Sequence, residues 1–376
     1  MPPAKVASFL SSRLFDRLCA VVLYLFAAAA AFNGLQDANG FVNDTDAYPL
    51  YGISFIGAVT GTAQKPFIFR RLLPDTTNWV AAVTPQPIQD RLYHWFYFSD
   101  SPGFWPRVLS FGHSQTACDH VWFFRFFVFY ISVFLSALLA ILAMHLVCRA
   151  LDLPPAVALF APVVFMLLMP YILVFYYDFL ELAFFMLAVW VALRCSWWWL
   201  LPLAALGAWN KESFLFFLPS LYPLLRQRLS RRMALTAVAL PSLAAGAVYL
   251  YMRTRFPKNP MASAWLQWQG HLIHLANIHE MLVNNTEVYG IRLLSISTVV
   301  PTLMLLWLFA HAWRLLPAVV RRHALIAAAI NFPLYLLFGA AGEYRNLSML
   351  GVFALLVVAW TLKDALERAT PRQSPV

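Results

Sequence analysis

Charge is what this sequence has least of. Only 12% of its 376 residues are Asp, Glu, Lys or Arg, and 61% are hydrophobic. A soluble globular domain carries about 25% charged and 45–50% apolar residues. So small a polar inventory excludes a chain that covers itself with a water-facing surface. Cysteine is scarce too. Cys19, Cys118, Cys148 and Cys195 are scattered, only Cys118 lies in a long polar loop, and no CxxC pair occurs. That leaves no legible disulfide framework and no cysteine metal site. There is no internal repeat, low-complexity tract or soluble domain. The net charge of +10 does not point to nucleic acid, because the basic residues stand in short clusters between apolar runs, where membrane orientation places them.

What the sequence does have is apolar runs. Ten of them lie near 18–33, 121–146, 155–174, 179–193, 196–209, 213–225, 233–251, 296–313, 324–340 and 346–362. A bilayer core of about 30 Å needs roughly 17–25 apolar residues per helix. Several runs are shorter, which predicts tilted, broken or partly re-entrant segments. The expected fold is all-α: a polytopic transmembrane helical bundle of about 10 spans, one integral membrane domain over residues 1–376. The first run, Leu18 to Phe32, follows Lys5, Arg13 and Arg17 and contains "AAAAA". A cleaved signal peptide shares those features, but the many later spans favour a retained first helix.

Basic residues in short loops set the orientation. Arg13 and Arg17 precede the first run, Arg149 follows the second and Arg194 the fourth. Arg226, Arg228, Arg231 and Arg232 separate the sixth from the seventh. Arg314, Arg321 and Arg322 separate the eighth from the ninth, and Lys363, Arg368 and Arg372 follow the tenth. Alternating spans put all of these on one side, the cytoplasm, with both termini. Two long loops, 34–120 and 252–295, then fall outside. The aromatic stretch "LYHWFYFSDSPGFWP" in the first suits an interfacial helix or lid. The second contains the amphipathic-looking "WLQWQGHLIHLANIHE".

The remaining polar residues map to the outer boundary: "DTD" (Asp44, Asp46), "YYDFLE" (Tyr176 to Glu181), "NKES" (Asn210 to Ser213) and "GEYRN" (Gly342 to Asn346). Ionisable groups near membrane depth are costly and usually face a cavity or a partner, so four clusters on one face point to a single polar site. Asp178 and Glu181, three apart, share a helix face. They fit a divalent cation or an acid–base pair, and equally a helix-start signal. Lys211 and Glu212 point to different faces. Lys211 fits a phosphate, or a surface lysine beside a cap. Asp44 and Asp46 fit hard-cation chelation, or a turn rich in Asn, Asp and Thr. Arg70 and Arg71 in "FIFRRLLP" fit bidentate phosphate binding, or snorkelling to headgroups. Glu343 and Arg345 fit an ordinary ion pair. His113, Asp119 and His120 match no zinc spacing, and they and the trio His271, His274 and His279 read as interfacial or core histidines. The sequons at Asn43, Asn284 and Asn346 matter only in a eukaryotic secretory setting.

An acidic motif in a long first outer loop, many spans and a charged outer-face cavity resemble the GT-C superfamily of membrane glycosyltransferases. "KPFIFRRLLP", "YYDFLELAFF", "NKESFLFFLP" and "GEYRNLSML" are similar to the scattered motifs of its bacterial members. The resemblance implies a sugar donor on polyprenyl phosphate, an extracytoplasmic acceptor (glycan, lipid or protein) and a bacterial inner-membrane location. It implies that Asp46, or Asp44, is the general base, with inversion at the anomeric carbon. Arg70, Arg71, Lys211 and Arg345 are then candidates for the leaving phosphate. Asp178, Glu181, Glu212 and Glu343 are candidates for sugar hydroxyls or a metal. Mg2+ or Mn2+, held by Asp44 and Asp46, is optional under this resemblance. Members often carry a large extracytoplasmic C-terminal domain; the chain ends about a dozen residues after its last apolar run, so no such module is expected.

Three other functions compete. A secondary transporter places charges at the midplane of broken helices in repeated halves, whereas these lie at span ends. A lipid-linked glycan polymerase or ligase relies on a large late outer loop. A membrane acyltransferase needs a histidine-centred motif within a span, and none is convincing. A purely structural assembly protein leaves four charged clusters on one face unexplained.

Overall fold

The apolar runs become helices, and the interruptions fall where proline or a polar pair stands. A computed structural model describes residues 13–39, 55–98, 118–168, 175–260, 268–276, 287–288, 291–292, 296–339 and 344–369. Helix α1 is Arg13–Asn39, followed by short α2 (Phe55–Thr60), a 3-10 turn at Phe67–Phe69, α3 (Leu72–Val83) and α4 (Gln86–Phe98). Next come α5 (His120–Ala150), α6 (Pro155–Leu168), α7 (Asp178–Arg194) and α8 (Leu200–Asn210). The run at 213–225 is broken into α9 (Ser213–Phe217), a 3-10 turn (Leu218–Leu221) and α10 (Tyr222–Leu225). Pro219 and Pro223 open the last two pieces; each lacks the N–H that would continue the helical ladder. Helices α11 (Arg231–Arg255), α12 (Trp268–Ala276), α13 (Ile296–Leu315) and α14 (Ala318–Phe338) follow. A 3-10 stretch at Tyr344–Leu350 leads into α15 (Gly351–Ala369). The one departure from an all-α expectation among the described residues is a two-residue antiparallel pairing, Glu287–Val288 with Ile291–Arg292.

Among the described residues, four stretches are long and apolar enough to cross a membrane, by length and composition: Leu18–Gln36, His120–Ala150, Arg231–Arg255 and Arg345–Ala369. Pro155–Leu168 and Ser213–Leu225 are shorter apolar helical stretches. Helix α7 forms the centre. It buries 14 of its 17 residues, which is why its sequence is apolar all round rather than on one stripe. It packs on α5, α8 packs on α11, and α6, α15 and α1 close the other side. Outward-facing positions are apolar as well: Leu18, Val21, Val22 and Leu25 on α1, Leu135, Leu139 and Leu142 on α5, Leu325, Phe332 and Leu336 on α14. Exposed apolar stripes at helical spacing are compatible with a bundle set in lipid.

Residues 92–98 of the expected interfacial segment form the end of α4, and its remainder lies outside the described residues. Trp95 and Phe98 on α4, and Trp79 on α3, are exposed. His120 Nε2 lies 3.1 Å from Asp90, and Asp119 caps α5 by accepting from the Val121 N–H at 2.9 Å. These two residues thus fasten α4 and start α5. His271 Nε2 donates to the Gly339 carbonyl at 2.8 Å, tying α12 to the end of α14.

One close approach decides how α8 meets α9. A Cβ on Gly207 would lie 2.5 Å from Phe214 Cγ, at the fixed end of a ring stacked on Phe185 at 5.8 Å. Gly207→Ala is expected to destabilise the bundle by about 1–3 kcal/mol through overpacking. Thermal unfolding in detergent, read beside a Gly246→Ala control whose Cβ meets nothing within 4 Å, checks this.

Candidate functional site: a buried ion network at one end of the bundle

Four separated stretches converge at the end of the bundle where α7 begins and α8 stops. The first is the 3-10 turn at Phe67–Phe69, which delivers Arg70 and Arg71 to the mouth of α3. The Arg71 N–H donates to the Trp209 carbonyl at 3.1 Å, so this loop is stitched to the end of α8. The second is Phe175 to Tyr177, running into α7 at Asp178. The third is the break after Asn210. Lys211 is extended (φ −160°, ψ 137°) and Glu212 helical (φ −57°, ψ −27°), which sends adjacent side chains to different partners. The fourth is the 3-10 stretch carrying Arg345 and Ser348.

Lys211 sits between two carboxylates. Its Nζ is 2.7 Å from Glu181 Oε2 and 3.3 Å from Asp178 Oδ1. Lys211, Asp178 and Glu181 are 3%, 1% and 2% exposed, so one ammonium faces two carboxylates out of water, with Arg345 3.9 Å from Asp178. Ser348 Oγ donates to Glu181 Oε1 at 2.9 Å, and Ser213 Oγ donates to the same oxygen. Asp178 Oδ2 accepts from the Phe175 N–H at 3.0 Å, a local cap that aims the carboxylate. Asp178 opens α7, as the helix-start reading expects, and it is also an ion-pair partner of Lys211, which the sequence did not indicate.

Tyr177 is the hub. Its phenol oxygen accepts from Arg345 at 3.1 Å and from Arg70. The Arg70 guanidinium lies 4.4 Å from the Tyr177 ring centroid, and that of Arg345 lies 3.9 Å from the Phe175 centroid. Arg345 also approaches Asp178 at 3.9 Å. Burial pushes the Tyr177 phenol up, outweighing Arg345 and Arg70, so it keeps its proton at neutral pH.

Arg70 grips Glu212 with two contacts, Nε to Oε2 at 3.3 Å and a terminal nitrogen to Oε1 at 2.7 Å. The fork matches a carboxylate, and would match a phosphate equally well. Burial pushes the Glu212 carboxyl up, but the Arg70 charge and hydrogen bonds outweigh it and hold Glu212 at about 2. The same partners hold Arg70 well above its ordinary value despite burial. A carboxyl lowered on folding stabilises above its unfolded pKa and loses that contribution as pH falls through the folded one. The clasp, on the order of 3 kcal/mol by this shift, should be intact at pH 7 and 5 and fade between pH 4.5 and about 2. Comparing melting of the protein with an Arg70→Met/Glu212→Leu double variant across that range checks it. An equal gap at pH 7 and pH 2 would contradict the assignment.

At the rim, Asp75 serves two cations: Arg71 at 2.6 Å and Arg255 at 2.9 Å, with Trp209 Nε1 donating to it at 3.3 Å. Among the described residues the network therefore holds five cations (Arg70, Arg71, Lys211, Arg255, Arg345) and four carboxylates (Asp75, Asp178, Glu181, Glu212), a surplus of one positive charge. Arg255 and Glu212, with side chains 39% and 27% exposed, form its accessible edge.

Of the residues singled out in the sequence, Arg70, Arg71, Lys211, Arg345, Asp178, Glu181 and Glu212 meet here. Asp44, Asp46 and Glu343 lie outside the described residues, as do His113 and His279. Asp178 and Glu181 share a face, but Lys211 occupies the place between them that a divalent cation would need. Among the described residues no group of three or more His, Cys, Asp or Glu could hold a metal. Sequence reasoning missed Asp75 and Arg255, and named Tyr177, Ser213 and Ser348 only as parts of motifs. The spacing of four between Arg71 and Asp75 was an available signal; nothing local links Arg255 to a residue 180 positions earlier. No protein-family model, curated protein or solved structure matches this chain.

Proposed function

We propose that the chain is an integral membrane glycosyltransferase that transfers a sugar from a polyprenyl-phosphate donor to an extracytoplasmic acceptor. The observation that carries this is the ion network at one end of an apolar bundle, which among the described residues holds five cations and four carboxylates. Buried ion pairs are poor stabilisers, because apolar replacements of the same volume do as well or better. Charges kept at such depth mark a functional site. Their place at helix ends, not mid-helix, favours chemistry at the membrane surface over alternating access.

In this reading the apolar runs cross the bilayer about ten times, both termini are cytoplasmic and the network faces the outer side of a bacterial inner membrane. The basic ends support it. Arg194 pairs with Asp152 at 2.6 Å and Arg228 donates to the Cys195 carbonyl at 2.9 Å, both at the end opposite the network. The polyprenyl tail lies in lipid against the apolar helices, and the phosphate meets the edge made by Arg255 and Glu212. Glu212 holds the Arg70 fork while no phosphate is bound and yields it to the incoming anion. The acceptor hydroxyl attacks the anomeric carbon, its proton passes to Asp46 or Asp44, and the bond from that carbon to the phosphate oxygen breaks. The donor phosphodiester, with one negative charge, leaves as a monoester with two, and preorganised cations such as the Arg70 fork stabilise the developing charge. Eight residues lie between Asp46 and the start of α2, whose Ala58 carbonyl accepts from Arg71, so chain length tethers Asp46 within about 30 Å of that helix start.

The test uses protein in nanodiscs with a panel of polyprenyl-phosphate sugars and candidate acceptors, following release of polyprenyl phosphate. Release from one donor, reduced about 10²–10⁴-fold by Asp46→Asn and Asp44→Asn combined, is the expected result, since that is the usual cost of removing a positioned general base. Adding Mn2+ or EDTA in parallel decides whether a divalent cation takes part. Turnover that survives the double substitution removes the acidic pair from the mechanism. No release from any donor shifts the reading to transport, measured as solute flux in liposomes.

A further inference from the structure

A second site lies at the opposite end of the bundle, where α14 starts. The α14 axis is about 30 Å long, which separates this site from the ion network near Gly339 and Arg345. A cavity of about 900 Å³ opens between the end of α10 and the first turns of α14, within the range of small-molecule and lipid sites. Its walls are apolar, with Pro223, Leu325 and Ile326 among them, and it carries two arginines, Arg226 and Arg322. Both are exposed. Arg226 also donates to the Leu229 carbonyl, and among the described residues neither arginine has a carboxylate partner. The surrounding chain offers none: no Asp or Glu occurs between Glu212 and Glu280 or between Glu287 and Glu343.

Two further features fit an anion. Pro317 and Ala318, at the start of α14, line the cavity, and Pro317 supplies no side-chain cap. The first N–H groups of a 21-residue helix therefore stand at the wall, adding their dipole to the two guanidinium charges. The walls are also pinned. Buried His323, next to Arg322, donates from Nδ1 to the Ser220 carbonyl at 2.7 Å, and its ring meets Phe217 edge-on at 5.7 Å. The cavity is built by packing between two elements rather than by a loop lying on the surface.

We infer that this cavity is a binding site for an anionic glycerophospholipid, with the phosphate between Arg226 and Arg322 and an acyl chain along Leu325, Ile326 and Pro223. An inorganic anion would leave the apolar walls uncovered, and a zwitterionic lipid would bring its own headgroup cation beside the two arginines. The inference does not rest on the glycosyltransferase reading, since it concerns the other end of the molecule.

The experiment is native mass spectrometry of the full chain in detergent, titrated with phosphatidylglycerol or phosphatidylcholine. Phosphatidylglycerol should be preferred, with its first binding step weakened about tenfold or more in Arg226→Gln/Arg322→Gln, as expected for two interfacial cations. Arg231→Gln/Arg232→Gln removes the same charge outside the cavity and should change binding less than twofold. Ala318→Trp fills the cavity with both arginines in place and should also weaken phosphatidylglycerol. Inorganic phosphate added as competitor should not displace the lipid. All five positions are exposed, so the variants are expected to keep the fold, which a melting curve checks. Equal losses in the two arginine pairs, no loss in Ala318→Trp, or equal binding of the two lipids would each overturn the site.

Discussion

Lys211→Met should lower stability by about 3–5 kcal/mol, the usual cost of removing one partner from a buried ion cluster. The expectation follows from what would be left. Asp178 and Glu181 are 1% and 2% exposed and would lose the ammonium at 3.3 and 2.7 Å. Asp178 would retain the Phe175 N–H and Arg345 at 3.9 Å. Glu181 would retain hydroxyl donors from Ser213 and Ser348, which do not offset a desolvated charge. The second variant is therefore informative. Lys211→Met/Glu181→Gln removes that charge and keeps an amide oxygen for both serines, and it should recover at least half the loss. Thermal or denaturant unfolding in one detergent measures both. A single variant that melts within about 1 kcal/mol of the parent protein would mean that water reaches the cluster and that its burial is not what the packing implies.

Arg70→Ala should act on turnover more than on stability. On the glycosyltransferase reading, Arg70 supplies a forked donor to the leaving phosphate, and deleting one such preorganised donor costs about 10²–10³ in rate. Its stability cost is smaller, about 1–3 kcal/mol, because Glu212 is 27% exposed and can hydrate when left alone. Arg70→Lys keeps the charge but not the fork and should fall between. A double variant separates two roles. Arg70→Ala/Glu212→Gln relieves the orphaned carboxylate, so stability should return. If Arg70 touches the phosphate, release of polyprenyl phosphate stays low. If release returns with stability, Arg70 serves only to position Glu212, and the phosphate contact must come from Arg71, Arg255, Lys211 or Arg345.

The sequence by itself determined the helical nature of the chain and the end at which polar residues gather. Both follow from one-dimensional physics. An apolar run has a length, that length has a preferred structure in lipid, and charges left between runs must lie at helix ends. This is why nine of the ten runs are continuous helix over most of their length in the structure, and why the tenth breaks at Pro219 and Pro223. It is also why Lys211, Asp178 and Arg345 could be assigned to one site before any contact was known, whereas Arg70 joined them only as what the family resemblance implies. The pairing was beyond it. That Lys211 turns to Glu181 while its neighbour Glu212 turns to Arg70, 142 positions away, depends on the backbone bend after Asn210 and on how α8 lies against α7. That Arg255 shares Asp75 with Arg71, and that Tyr177 receives two guanidinium groups, depends on packing between elements far apart in the chain. Short-range spacing carries no record of such contacts, because charge–charge attraction selects partners by distance in space. In an apolar bundle the cost of leaving any charge alone makes that selection strict.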